Sequence, residues 1–149
     1  MTLHLRAARP LDAGAMGEIL HGFQAETDWM PDLLSGAESI AHCGTMIELG
    51  WVTIADYRGR VAGFLARHGE EIRALYLAPG ARGAGVAQLL MAEAKARSPR
   101  LRLRVAEANA RAHRFYLRQG FAEVARGDGA ENDENLPDIV LVWQQEGRR

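Results

Sequence analysis

The sequence has little of what several common classes of protein require. Its single cysteine, Cys43, excludes a disulfide framework within the chain and suits a reducing compartment. No stretch approaches the roughly 20 consecutive apolar residues of a membrane-spanning helix, and residues 1–10 lack the apolar core of a signal peptide. The formal net charge is -1 and the arginines lie mostly singly, which disfavours a nucleic-acid partner. We therefore expect a soluble, cytoplasmic protein that acts on neither nucleic acid nor membranes.

Metal-binding and nucleophilic groupings are also lacking. The five histidines are scattered and form no zinc-type pair with one another or with Cys43, so we predict no metal site. No nucleophile elbow surrounds the serines at 35, 39 and 98. Cys43 lies in an apolar segment, which favours packing over reactivity. Chemistry through a covalent enzyme intermediate is accordingly not expected.

What is present is the composition of an ordinary globular domain. The 149 residues are 48% hydrophobic and 25% charged, which fits a single domain over residues 1–149. Hydrophobic spacing predicts strands near residues 3–7, 51–57, 60–67, 72–77, 101–106, 121–124 and 139–143, and helices near 11–23, 33–49, 83–97 and 109–119. In the first helix, Leu11 shares the helical apolar spacing and Asp12 is a candidate cap. This order predicts an α/β (α+β) fold with a mostly antiparallel sheet of six to seven strands, a parallel pair in its middle and about four helices.

A glycine-rich segment joins the predicted strand at 72–77 to the helix that follows. It reads Arg82-Gly83-Ala84-Gly85-Val86-Ala87. The first N–H groups of a helix have no internal partner and lie at the positive end of its dipole. Glycine allows a phosphate to approach them, and Arg82 adds a cation. The segment predicts a diphosphate site, and the alternative is a tight strand-to-helix turn with no ligand.

Two other nucleotide motifs fit this segment less well. A nucleoside-triphosphatase loop requires Lys where Val86 stands, so that interpretation fails. A dinucleotide fingerprint has an acidic residue about 20 positions on, where Glu107 is near. However, Pro79 intervenes after the strand and Gln88 takes the place of the third glycine. A dinucleotide enzyme therefore stays a weak alternative.

Two motifs in correct order resemble those of the GNAT family of N-acetyltransferases. The first is Gln or Arg, two residues, Gly, one residue, then Gly or Ala, which Arg82, Gly85 and Ala87 match. An apolar strand ending in Pro79 precedes it, as in the family. The second motif is matched by Asn109, Ala112, Phe115-Tyr116 and Gly120-Phe121. Together the motifs cover about residues 72–121, and the order of the flanking elements extends the resemblance over most of the chain.

The resemblance implies how acetyl-coenzyme A, the co-substrate, would be bound. It implies that main-chain amides of Arg82, Gly83, Ala84, Gly85, Val86 and Ala87 hold the pyrophosphate. It also implies that acetyl-coenzyme A lies where two central strands splay, with the main chain of Tyr76 and Leu77 pairing with the pantetheine arm like an added strand. Asn109 would donate or accept a hydrogen bond with the coenzyme. The alternatives are that Asn109 only caps a helix and that the strand groups pair with a neighbouring strand.

The resemblance also implies roles in the chemistry. Tyr116 is similar to the family's general acid, which protonates the leaving thiolate; the alternative is a core aromatic. Some relatives use a Glu at the start of the strand before the loop as the base, and Glu71 stands there, whereas others use ordered water. The alternative for Glu71 is a solvated hairpin end. A main-chain N–H near Leu77 would polarise the thioester carbonyl.

The acceptor region is implied to lie between the first two helices. Trp29 beside Asp28 would suit a cationic amine with an apolar body, and the alternative is that Trp29 fills the core. The polar loop at residues 127–135 fails as a calcium loop, because Ala130 and Asp133 replace required residues.

The function that the resemblance implies is direct acetyl transfer to a primary amine in a ternary complex. The acceptor would be a small molecule or a peptide, and a homodimer is an assembly frequent in the family. The alternative function is a catalytically silent acyl-coenzyme A sensor that keeps the loop but transfers nothing.

Overall fold

A computed structural model describes residues 2–31 and 33–146, and a seven-stranded sheet is its central feature. The strands are β1 (His4–Ala7), β2 (Val52–Tyr57), β3 (Arg60–His68), β4 (Glu71–Leu77), β5 (Arg100–Ala106), β6 (Ala122–Gly127) and β7 (Asp138–Gln144). They lie in the order β1-β2-β3-β4-β5-β7-β6. All neighbours in this sheet are antiparallel except β4 and β5. The predicted mixed sheet with a central parallel pair is confirmed.

Four helices flank the sheet, as the sequence predicted. They are α1 (Ala13–Glu26), α2 (Gly36–Glu48), α3 (Val86–Arg97) and α4 (Ala110–Arg118). A capping box starts α2: the Ser35 hydroxyl accepts from the Glu38 N–H at 3.1 Å, and the Glu38 carboxylate accepts from the Ser35 N–H at 2.9 Å. None of the helices in the described residues is long and apolar enough to cross a membrane.

The sheet has a separate hydrophobic core on each face. On one face α1 and α2 pack through Met16 and Cys43 against Phe64 of β3. On the other face a cluster that includes Leu90 of α3 and Tyr116 of α4 packs on the sheet. The two faces of the sheet are therefore covered by different pairs of helices.

The start of the first helix differs from its prediction. Pro10–Asp12 form a separate 3-10 turn, so Leu11 lies outside the helical face and is 93% exposed. The Asp12 side chain does not cap α1. It accepts instead from the Arg6 guanidinium at 2.8 Å and from the Arg9 N–H at 2.7 Å. Arg6 also donates to Asp56 of β2 at 2.8 Å, and these bonds hold the pKa of both carboxyl groups below the usual value.

The parallel pair is joined at one point only. Glu71 of β4 and Arg102 of β5 are the single register pair, next to a bond in which the Arg102 N–H donates to the Glu70 carbonyl at 2.8 Å. By contrast, β5 and β7 share a continuous register along their whole length. Beyond Glu71 the two strands diverge toward their carboxyl ends. We call the wedge between residues 73–77 of β4 and 104–106 of β5 the gap.

Candidate active site

Main-chain groups of β4 line one side of the gap. The Ala78 N–H donates to the Ala62 carbonyl at 2.8 Å, so Ala78 faces β3. Hydrogen-bonding direction alternates along an antiparallel strand, and the register pairs Tyr76 with Phe64. Tyr76 therefore faces β3 with its main chain, whereas Leu75 and Leu77 present their N–H and C=O groups to the gap. Of the two residues implied to pair with a pantetheine arm, the geometry suits Leu77 and not the main chain of Tyr76.

The glycine-rich segment forms a cradle of main-chain N–H groups beside the gap. After a 3-10 turn at Pro79–Ala81, Gly83 and Gly85 both have positive φ angles, 78° and 82°. Alternation of ordinary and left-handed residues is the backbone pattern of anion-binding nests, although the Ala84 N–H donates to the Ala81 carbonyl at 3.4 Å. No side chain caps α3, so in the described structure the N–H groups of its first turn, from Val86 and Ala87 on, stay open to a ligand.

The cradle also has the space and charge that a diphosphate needs. A Cβ built on Gly83 or Gly85 meets no heavy atom within 4 Å, so the surface above the turn is open. Gly83, Ala84 and Gly85 are exposed, as is the Arg82 side chain. Val86 instead buries its side chain completely, which anchors the helix under the cradle. The residues present therefore fit the pyrophosphate of a coenzyme.

Tyr116 is buried in the core on the α3–α4 side. It is 8% exposed and packs edge-to-face on Phe121, with ring centroids 5.5 Å apart. It belongs to the same cluster as Leu75 and Leu77 of the gap. Burial, with a smaller effect of Tyr76, raises the pKa of the Tyr116 phenol well above its usual value. The phenol is consequently protonated at neutral pH, the state that a proton donor must have.

Asn109 has a structural role that accounts for its residue type. Its side-chain oxygen accepts from the Ala112 N–H at 3.2 Å and so caps α4. This bond leaves the amide group of the side chain as a donor at the carboxyl end of β5. Asn109 therefore lies at the same edge of the sheet as the open end of the gap.

Glu71 lies at the closed end of the gap, away from the glycine-rich cradle. One carboxylate oxygen accepts from Arg73, and the other accepts from Arg102 of β5 at 3.2 Å. Both oxygens are thus engaged by guanidinium groups at the one point where β4 and β5 pair. These contacts favour a structural role in fastening the two strands.

Trp29 lies on the opposite face, after the end of α1. Its ring is half-buried and meets Phe23 edge-to-face at 6.1 Å, and Phe23 meets Tyr76 at 5.3 Å. Tyr76 in turn contacts the fully buried Phe64 at 5.8 Å. Trp29 neither fills the core nor stands free, because one edge rests on this aromatic row. Asp28 beside it is exposed.

Sequence reasoning missed two side chains at this end of the sheet. Tyr76 was noticed for its main chain, but its ring belongs to the aromatic row. Glu134 lies in the loop between β6 and β7, and its charge is one cause, after burial, that raises the pKa of Tyr76 to about 12. The alternation of apolar residues along β4 could have indicated that Tyr76 faces α1; nothing in the sequence indicated Glu134.

The described residues were also compared with the requirements of a metal site and of a nucleophilic cysteine. They contain no group of three or more His, Cys, Asp or Glu side chains arranged to hold a metal ion. Cys43 is fully buried, and burial raises the pKa of its thiol to about 11. It packs as an apolar residue and is not activated as a nucleophile.

Residues 48–123, half of the chain, match the family profile described as "Acetyltransferase (GNAT) domain". No curated protein matches the sequence. The matched segment includes β2 to β5, the cradle, α4 and the start of β6. Both motifs that carried the resemblance lie within it.

Solved structures share the whole architecture. Apo-form YjaB from Escherichia coli is 24% identical with a TM-score of 0.74, over 97% of this chain and 99% of that one. The yncA protein from Salmonella typhimurium, solved with its cofactor acetyl-CoA, is 18% identical with a TM-score of 0.75, over 100% and 97%. A ribosomal-protein-alanine N-acetyltransferase from Brucella melitensis is 22% identical with a TM-score of 0.73, over 95% and 99%. At these identities the likeness concerns the fold.

Proposed function

The chain belongs to the GNAT acetyltransferase family, and we propose that it transfers the acetyl group of acetyl-CoA directly to a primary amine of a small molecule or peptide. The observation that carries this proposal is the gap. Leu75 and Leu77 turn main-chain groups into a space where the neighbouring strand has diverged. Because buried main-chain groups are nearly always paired, the arrangement favours an extended ligand that completes the sheet.

Acetyl-CoA has the two features that the gap and the cradle call for. Its pantetheine arm carries amide groups that can pair with Leu77, and its pyrophosphate suits the N–H groups from Arg82 to Ala87. The positive φ angles of Gly83 and Gly85 support this assignment, since an ordinary turn has no need of two left-handed glycines separated by one residue. Asn109 supplies a further donor at the same edge of the sheet.

The residues around the gap can then support direct transfer. A main-chain N–H near Leu77 polarises the thioester carbonyl as negative charge develops on its oxygen. As the amine nitrogen bonds to the carbonyl carbon and the carbon–sulfur bond breaks, Tyr116 donates its proton to the sulfur. The amine nitrogen attacks in its neutral form, so an acceptor that arrives as an ammonium ion first gives one proton to water. The nitrogen gives a further proton to solvent as the amide forms, and the tyrosinate regains one from solvent. No covalent bond to the protein forms, in agreement with the burial of Cys43.

Glu71 is assigned to the framework rather than to proton removal. Each oxygen of its carboxylate accepts a hydrogen bond from a guanidinium group, one of Arg73 and one of Arg102, at the closed end of the gap. We therefore propose that water accepts the proton of the amine. The resemblance left Glu71 and ordered water open as the base, and this assignment takes the second.

An acetylation screen with free-thiol detection over an amine library tests the function. We expect release of coenzyme A thiol that depends on a particular amine and equals the acetylated product. Tight binding of acetyl-CoA without thiol release above the amine-free rate would support a silent sensor instead. Stabilisation against heat by NAD and not by acetyl-CoA would point to a dinucleotide enzyme, because only a bound ligand raises the unfolding midpoint.

A further inference from the structure

Three aromatic side chains form a continuous surface on the α1–α2 side of β4. We call Trp29, Phe23 and Tyr76 the aromatic wall. Successive ring centroids are 6.1 Å and 5.3 Å apart, and all three rings are half-buried. Phe64 anchors the wall, since it is fully buried and lies 5.8 Å from Tyr76. The wall is thus fixed at one end and partly open at the other, which suits an apolar or aromatic ligand.

The wall lies at the open end of the gap. Tyr76 is the next-to-last residue of β4, between the two residues whose main chains face the gap. The coenzyme cradle precedes α3, and α3 packs in the other core. A ligand on the wall would therefore meet the gap from the face opposite to Tyr116.

One carboxylate of an acidic loop is partly buried at the same end of the sheet as this wall. The loop at residues 128–136 follows β6 and precedes β7, whose first residue Asp138 pairs with Ala106 at the carboxyl end of β5. Glu131 and Asp133 are exposed, whereas Glu134 is half-buried. The influence of Glu134 on the phenol of Tyr76 is consistent with this inward position.

In the part of the chain that the structure describes, Glu134 differs from the buried carboxylates in having no arginine or lysine in an ion pair with it. In the described residues, Asp12, Asp56 and Asp138 each pair with an arginine, and no such ion pair involves Glu134. Partly buried carboxylates usually have a compensating cation. Its absence beside an aromatic surface leaves a place for the cationic group of a ligand.

Resting on the proposed function, we propose that the acceptor is a primary amine with an apolar or aromatic body that arrives as a cation. The aromatic wall binds the body, and Glu134 attracts the ammonium group. An additional carboxylate on the acceptor would be repelled by the loop. This chemistry favours arylalkyl amines and apolar alkyl amines over free amino acids.

Three probes of matched chemistry test this class. Phenethylamine has both features, ethylamine lacks the apolar body, and phenylalanine adds a carboxylate. We expect kcat/KM to be at least about tenfold higher for phenethylamine than for either of the others, since 1.4 kcal/mol corresponds to tenfold. Equal values for phenethylamine and phenylalanine would overturn the proposal.

Two variants locate the binding. Glu134→Gln should raise the KM for phenethylamine about tenfold and leave the KM for acetyl-CoA unchanged, whereas Glu131→Gln, an exposed carboxylate of the same loop, should change neither. Trp29→Leu should remove most of the preference for phenethylamine over ethylamine. An unchanged KM in Glu134→Gln would contradict the assigned role of that carboxylate.

Calorimetric titration of phenethylamine separates this inference from the proposed function. Binding that weakens about tenfold in Glu134→Gln, in a protein that releases no thiol, would support the site and overturn the acetyl transfer. Thiol release with amines, together with phenethylamine binding that is indifferent to Glu134→Gln and Trp29→Leu, would support the transfer and overturn the site.

Discussion

The two sides of the gap differ in the groups that line them: main-chain groups on one side and side chains on the other. On the proposed coenzyme side, the main-chain groups come from Leu75, Leu77 and the segment from Arg82 to Ala87, and glycines set the backbone angles of that segment. On the proposed acceptor side, the groups are the side chains of Phe23, Trp29 and Glu134, which belong to distant segments. A main-chain site depends on conformation and is compatible with many sequences. A side-chain site depends on residue identity, so that side determines what the protein acts on.

Tyr116 is the exception on the coenzyme side, and its removal should have the largest effect. General acid catalysis contributes about 10²–10⁴ to a rate, so Tyr116→Phe should lower kcat at least about 100-fold and leave the KM for acetyl-CoA unchanged. Steady-state thiol release measures both quantities. Tyr57→Phe on β2 is the control and should retain full activity. An unchanged kcat in Tyr116→Phe would contradict the role of Tyr116 as general acid, and the coenzyme side would then only bind acetyl-CoA.

The pH profile adds a second check on the same residue. Burial raises the pKa of Tyr116 above that of a free phenol, which is about 10. The proton donor should therefore be present throughout the neutral and mildly alkaline range. If kcat of the unsubstituted protein fell with a midpoint near pH 8 and that of Tyr116→Phe did not, the expected protonation of Tyr116 in this range would be contradicted.

A glycine substitution tests whether backbone angles govern the coenzyme side. Gly85 has φ 82°, and a side chain in the left-handed region costs about 1–2 kcal/mol. This free energy should appear in Gly85→Ala as acetyl-CoA binding that is about tenfold weaker, as a lower melting temperature, or as a smaller change in both. Gly80→Ala adds the same methyl group three residues after Leu77, where the backbone is ordinary and no atom lies within 4 Å. If the two variants had the same affinity for acetyl-CoA and the same melting temperature, the left-handed conformation of Gly85 would not be what the coenzyme side requires.

The smallest effect is expected at the closed end of the gap. Glu71→Gln should keep kcat within about twofold at neutral pH and reduce the free energy of unfolding by less than about 1 kcal/mol, as for other partly exposed ion pairs. Glu70→Gln, which loses a similar pair with Arg100, is the matched control. A fall in kcat of about 100-fold, restored at high pH, would return Glu71 to the role of base.

The fold and the coenzyme side could be predicted because their signals are local. Alternating and helical spacing located all seven strands and four helices, with shifts of a few residues at their ends. The motif from Arg82 to Ala87 coincides with the left-handed glycines and the uncapped start of α3. These features arise from neighbours in sequence, so a linear pattern contains them.

The acceptor side could not be predicted because its contacts join remote positions. Tyr76 and Phe23 are 53 residues apart in numbering, and only the packing of α1 on β4 brings their rings to 5.3 Å. The same limit explains the expectation for Asp12. The neighbours of Asp12 in sequence predict a helix cap. In the structure, Arg6 of β1 instead pairs with both Asp12 of the turn and Asp56 of β2, so Asp12 belongs to an ion-pair cluster.

The single register pair between Glu71 and Arg102 also has a mechanical consequence. It divides one sheet into two sub-sheets, β1–β4 and β5–β7, which are each continuously bonded but are joined by one rung. Local opening between the two sub-sheets along this seam breaks few main-chain hydrogen bonds, although one hydrophobic cluster, which includes Ile72 of β4 and Leu103 of β5, still spans it. A ligand that bonds across the seam makes them one cooperative unit. Amide exchange at Leu75 and Leu77 would then report how tightly the two halves of the molecule are coupled.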